Sequence, residues 1–196
     1  MIAIDGEEIT LGVSENKRRN ALVAAAEAEF HDLERRGVQV AGNVFTTILL
    51  VKGELNEQER AGSRLLGGPD GTALRSALLR LGYAPENFCA LSAVDPAHPS
   101  ATLDHRLFRE AVEAIDPEDI ILLDEVAAEA MLEAYPDSLE RNNGSRHEGL
   151  EPGLVVRVLG RRVIALDGFE RALATPRAKQ RMWAYLKQLS PLGAPY

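Results

Sequence analysis

Apolar positions along the chain follow two periods, and the two alternate. Over residues 17–36, Leu22, Val23, Ala26, Phe30 and Leu33 recur at helical spacing, which predicts an amphipathic helix with one face for a core. Residues 44–51 (VFTTILLV) form a nearly continuous apolar run that predicts a strand buried on both faces. A helix is expected over 71–81 with Asp70 as its N-cap, then a short strand over 88–94 and a Pro-containing loop over 95–100. Another helix follows over 103–115, an all-apolar strand over 120–123, and a helix over 125–134 capped by Asp124. Residues 135–152 (YPDSLERNNGSRHEGLEP) are polar and rich in turn formers, and predict a long loop. The runs 154–159 and 162–166 flank Gly160 as a hairpin, and Thr175-Pro176 opens a last helix with Thr as N-cap and Pro at the first position. Strands alternating with helices, most of them apolar throughout, predict an α/β fold: three layers, α/β/α, around a central, mainly parallel sheet.

That layout locates a site. The apolar run ends at Gly53-Glu54, an acidic and polar loop follows, and a glycine-rich turn (Gly67-Gly68-Pro69-Asp70-Gly71) opens the next helix. Open α/β sheets bind ligands beyond the carboxyl ends of their strands, where helix N-termini and unpaired amides converge. A carboxylate and free backbone N–H groups are therefore expected beside Glu54. The glycine-rich turn reads equally as a phosphate cradle formed by Gly68 and Gly71 or as a tight turn that needs positive φ. Its spacing and lack of lysine match neither a P-loop nor a dinucleotide fingerprint.

Composition narrows the classes. The 196 residues suit one domain, and a 45% hydrophobic, 27% charged make-up is ordinary for a globular chain. No apolar run approaches the ~20 residues of a membrane span, and the N-terminus lacks a signal-peptide pattern, so a cytoplasmic protein without membrane contact is expected. One cysteine, Cys89, excludes an internal disulfide and any cluster held by cysteines of this chain alone. The histidines, His31, His98, His105 and His147, lack metal-ligand spacing, and no cofactor or metal is expected. The net charge of −8 is uneven. Residues 151–196 carry eight Lys/Arg against three Asp/Glu, whereas residues 110–140 carry eleven acidic residues and no Lys or Arg. A basic C-terminal face could hold phosphates on an otherwise acidic protein, and Arg171, Arg177, Lys179 and Arg181 are its candidates. A solvated amphipathic helix accounts for residues 177–181 as well.

In order and spacing, the motifs resemble the uracil-DNA glycosylase superfamily, and most closely its branch that carries an iron–sulfur cluster. Gly53 and Glu54 match the start of a GEAPG-type motif, Gly62 and Gly71 its later glycines, and Leu65 or Leu66 falls where the family has an aromatic. The segment LDEVA at 123–127 resembles a later LGxxA motif. Residues 168–186 resemble the closing HPS-containing stretch, with Pro176, Lys179, Trp183 and Leu186 in register. The resemblance spans residues 46–189, and it implies the family fold, a base-binding pocket and DNA or a nucleotide as partner.

The departures fall on catalytic positions. The family histidine that stabilises the uracil anion corresponds to Gly168, and the two residues after it to Phe169 and Glu170. The base-reading asparagine falls near Ser92, and the cluster cysteines are absent. Removing one donor from a developing anion costs about 10²–10³ in rate, so ordinary uracil excision is not expected. Glu54 remains as the catalytic candidate, with Gly53, Leu65, Leu66, Ser92, Gly168, Phe169 and Glu170 as pocket residues. Glu57 and Glu59 read as solvated loop acids. Three functions stay open: a divergent hydrolase of base or nucleoside N-glycosidic bonds, a degenerate binder of nucleic acid or nucleotide, and a partner-binding α/β domain that uses the acidic 110–140 face.

Overall fold

The structure, a computed structural model, describes residues 6–84, 88–96, 98–143 and 150–189. In chain order its elements are α1 (Gly6–Arg35), β1 (Val40–Gly42), β2 (Ile48–Lys52), α2 (Glu57–Arg60), α3 (Pro69–Arg80), β3 (Phe88–Ser92), β4 (Val94–Asp95), β5 (His98–Thr102), α4 (His105–Ile115), β6 (Asp119–Leu122), α5 (Glu125–Ala134), α6 (Pro136–Asn143), β7 (Val155–Val158), β8 (Arg161–Ala165), α7 (Phe169–Ala172) and α8 (Pro176–Leu186). Among the described residues no helix is long and apolar enough to cross a membrane.

Six strands form one sheet in the order β1-β3-β2-β6-β8-β7. The inner four are parallel, and β1 and β7 close the two edges in antiparallel pairing. This is the expected three-layer α/β/α arrangement. The strands alternate their side chains between two cores. Leu49, Val51, Leu91, Ile120, Leu122 and Val163 face a core completed by Phe30 and Leu33 of α1 and by helices α4 and α5. Ile48, Leu50, Ala90, Ile121 and Ile164 face the other, completed by Leu74 and Leu78 of α3 and Met182 and Leu186 of α8. The same alternation puts Lys52 on the α3 and α8 face, the position that decides the site below.

Several boundaries differ from expectation, each for a local reason. The apolar run at 44–51 enters the ladder only at Ile48, because the Thr46 hydroxyl accepts the Ile48 amide and turns the chain there. Helix α3 starts at Pro69 with Gly68 as N-cap, so Asp70 lies inside its first turn and does not cap it; its carboxylate goes to Lys52. Part of the Pro-containing stretch forms the small antiparallel pair β4–β5. Within the stretch expected to be a loop, Pro136–Asn143 is helical, while 144–149 lies outside the described residues. The expected hairpin forms as β7–β8, and Asp104, Asp124 and Thr175 cap α4, α5 and α8 through their side chains.

Candidate functional site

The connection leaving β2 runs to β3 on one side, and that leaving β6 runs to β7 and back to β8 on the other. The chain therefore switches direction between the carboxyl ends of β2 and β6, the place where doubly wound sheets hold ligands. Gly53 follows β2 there because nothing larger fits: a Cβ on it would lie 2.5 Å from Val126 Cβ and 2.9 Å from Asp124 Oδ1.

The amides expected to be free at this point are already bonded. Asp124 accepts the Gly53 amide at 2.9 Å, the Glu54 amide at 3.0 Å and, as the cap of α5, the Ala127 amide at 2.9 Å. A carboxylate of the chain itself thus fills the anion-binding position at the switch point. It also fixes the backbone of Glu54, whose half-buried side chain pairs with Arg171 at 3.4 Å. Beside them opens a cleft of about 720 Å³, lined by Gly53, Glu54, Leu55, Arg60 and Val126 together with Val94, Thr102 and Glu129.

Behind Glu54 lies a buried ionic cluster centred on Lys52. Its ammonium meets Asp70 Oδ2 at 2.6 Å, Glu59 Oε2 at 2.7 Å and Glu170 Oε2 at 2.8 Å. Lys52, Glu59 and Asp70 are almost wholly buried, whereas the Glu170 side chain is half exposed. Burial would lower the Lys52 pKa, but the hydrogen bonds to Asp70, Glu170 and Glu59 outweigh it and hold the ammonium above the ordinary lysine value. Lys52 is therefore a fixed cation and not a nucleophile. Glu59 completes a capping box with Asn56 at the start of α2 and also accepts the Leu66 amide at 2.8 Å. That bond holds Leu66 at φ +53°, a conformation L-residues avoid. Carboxylate oxygens of Glu59, Asp70 and Glu170 lie within 4.8 Å of one another, close enough to share a cation.

Of the residues singled out in the sequence, Gly53, Glu54, Gly168, Phe169, Glu170 and Arg171 do converge at this edge. Others do not. Leu65 and Leu66 are buried in the core between the sheet and α3, and so supply no stacking platform. Ser92 is fully buried, with its hydroxyl engaged by the Val94 backbone. Gly71 is a packing glycine: a Cβ there would come within 1.8 Å of the Leu66 carbonyl oxygen. Neither Gly68, at φ −92°, nor Gly71 takes the positive φ expected of a tight turn, and the acid buried in the first turn, Asp70, disfavours an anion. Arg181 pairs with Asp167 at 3.3 Å; Arg177 and Lys179 are exposed on α8, and none of the three lines the cleft beside Glu54. His98 is exposed and bonded to Asp95. Glu59, read as solvated, is buried in the cluster, whereas Glu57 is exposed as expected.

The sequence reading missed Lys52 and Asp70 as site residues. The signal was present: a lysine ending an apolar strand must find carboxylates, since an unpaired buried charge is prohibitively costly. Gly168 adopts φ +70°, and a Cβ on it would lie 2.6 Å from the Arg171 guanidinium. The arginine lies over the spot from which a side chain at 168 would project.

No protein-family model matches the chain, and no curated protein matches it significantly.

Proposed function

We propose that the chain is a divergent glycosylase-like hydrolase that cleaves N-glycosidic bonds of a base in DNA or in a nucleoside. Glu54 acts as the carboxylate and Arg171 as the donor to the departing base. The observation that carries this reading is the Glu54–Arg171 pair at the rim of the switch-point cleft, with the Glu54 backbone clamped by Asp124. A carboxylate so fixed can stabilise an oxocarbenium-like sugar or position water, and preorganisation of this kind makes it effective. Arg171 lies over Gly168, where the resembled family carries its histidine, and a guanidinium there can neutralise charge on a leaving group.

The test is release of free base from a panel of oligonucleotides with modified bases, followed by chromatography. Glu54→Gln should abolish turnover with an unchanged circular dichroism spectrum, and Arg171→Ala should slow it by about 10²–10³-fold. A second reading, a binder that does not cut, is supported by Glu170, which Lys52 holds in place of leaving it free for chemistry. It predicts salt-dependent anisotropy with abasic-site duplex, no base release, and little effect of Glu54→Gln. Neither release nor binding at low salt would sink both readings and leave a domain that binds a protein partner through its acidic 110–140 face.

A further inference from the structure

We propose that Asp70 and Glu170 hold a hard divalent cation, of the Mg²⁺ or Mn²⁺ class, in the small cavity between Lys52 and Glu54. Counting hydrogen bonds leads there. An ammonium has three N–H donors, and Lys52 gives one each to Glu59, Asp70 and Glu170. It has none left. Asp70 is almost wholly buried, yet its Oδ1 has no partner among the described residues. An orphaned carboxylate oxygen costs about 1–3 kcal/mol or more, so its partner is expected from outside the chain.

Space and charge define that partner. Lys52, Glu54, Asp70, Asp124 and Glu170 line a cavity of about 10 Å³, room for one water-sized ligand and no organic molecule. Around it stand five carboxylates, of Glu54, Glu59, Asp70, Asp124 and Glu170, against two cations, Lys52 and Arg171. An anion is repelled. A water could meet Asp70 Oδ1 but would leave the charge uncompensated. A divalent ion brings four positive charges against five negative, with Lys52 still in place. Oxygen donors suit a hard cation, and Mg²⁺ characteristically takes one or two carboxylates and keeps several waters. The half-exposed Glu170 leaves an open side for those waters.

The test uses the full chain, stripped with chelator and titrated with Mn²⁺ while the signal of free Mn²⁺ is read by electron paramagnetic resonance. One site that Mg²⁺ displaces is expected. Asp70→Asn and Glu170→Gln should each weaken it at least about tenfold, while Glu57→Gln on the exposed face of α2 leaves it unchanged. Glu170→Gln guards against a folding defect in the buried Asp70 variant, since Glu170 is half exposed. No uptake up to about 1 mM Mn²⁺, or uptake that both site variants leave unaltered, would overturn the proposal. The readout needs no activity, so it stands or falls apart from the hydrolase reading.

Discussion

Replacing Lys52 by Met isolates the buried ionic cluster. Methionine keeps the length and apolar stem of the side chain, so the change removes a charge and three hydrogen bonds with little loss of volume. Glu170 is half exposed and can turn to solvent. Glu59 and Asp70, almost wholly buried, cannot, and they are left facing each other without a cation. Removing one partner of a buried pair costs about 3–5 kcal/mol, and the two buried carboxylates argue for the full range. With an unfolding entropy of about 2.1 cal/mol/K per residue, a 196-residue chain should lose roughly 7–12 °C in Tm. The pH dependence makes the prediction specific. In the native protein the Lys52 pKa is raised above its ordinary 10.5, so its stabilisation is complete below that pH and fades as pH rises through the folded value. In the Lys52→Met variant the buried carboxylates are raised in turn, so the deficit is largest above neutrality. It shrinks on acidification toward pH 5, by about 1.4 kcal/mol for each unit by which a carboxylate is raised. Urea denaturation of both proteins at pH 5 and pH 8 in chelator-treated buffer measures this. A deficit below about 1 kcal/mol at pH 8, or one that grows on acidification, would refute the account of the cluster.

Two further predictions concern the frame around the site. Gly71→Ala drives a methyl into the Leu66 carbonyl and should cost about 3 kcal/mol or prevent folding; an alanine variant with native Tm would show that the turn can shift to accept it. The Cys89 thiol is fully buried in β3, and burial pushes its pKa up to about 12. Labelling by a disulfide reagent at pH 8 should therefore occur at the rate of unfolding and accelerate with urea, and a fast reaction in native buffer would contradict the buried assignment.

How far the sequence revealed the fold varied by element. Runs such as ILLV at 48–51 and IILL at 120–123 marked the strands, because a strand buried on both faces has no polar positions to disguise it. Asp124 and Thr175 stood where their caps formed, since capping depends on a few neighbouring residues, whereas Asp104 caps a helix expected to begin before it and Asp70 caps none. Strand β1, with three residues, and the pair β4–β5 left no such trace; they exist because a neighbouring edge was available to pair with. The candidate site was legible in location and not in content. Gly53-Glu54 pointed to the right edge of the sheet, but the partners of Lys52 come from positions 59, 70 and 170, and no local pattern links them. Asp124 shows the same limit from the other side. Its role as a cap was readable, whereas its hold on the amides of residues 53 and 54 depends on the pairing of β2 with β6.

The parallel core also fixes the order in which this protein can be completed as it is made. Each parallel neighbour in the sheet lies far along the chain: Ile48 pairs with Asp119, and Asp119 with Arg162. Such contacts are slow to form, because a long loop must close before any ladder bond repays its entropy. While residues 161–165 are still in the ribosome tunnel, β6 presents an unpaired apolar edge, and Lys52 waits for Glu170, its latest partner in the chain. The sheet and the ionic cluster therefore close in the same late step. A nascent chain halted before residue 160 would carry the IIL segment of β6 with nothing to cover one of its edges, and would be the species most in need of a chaperone.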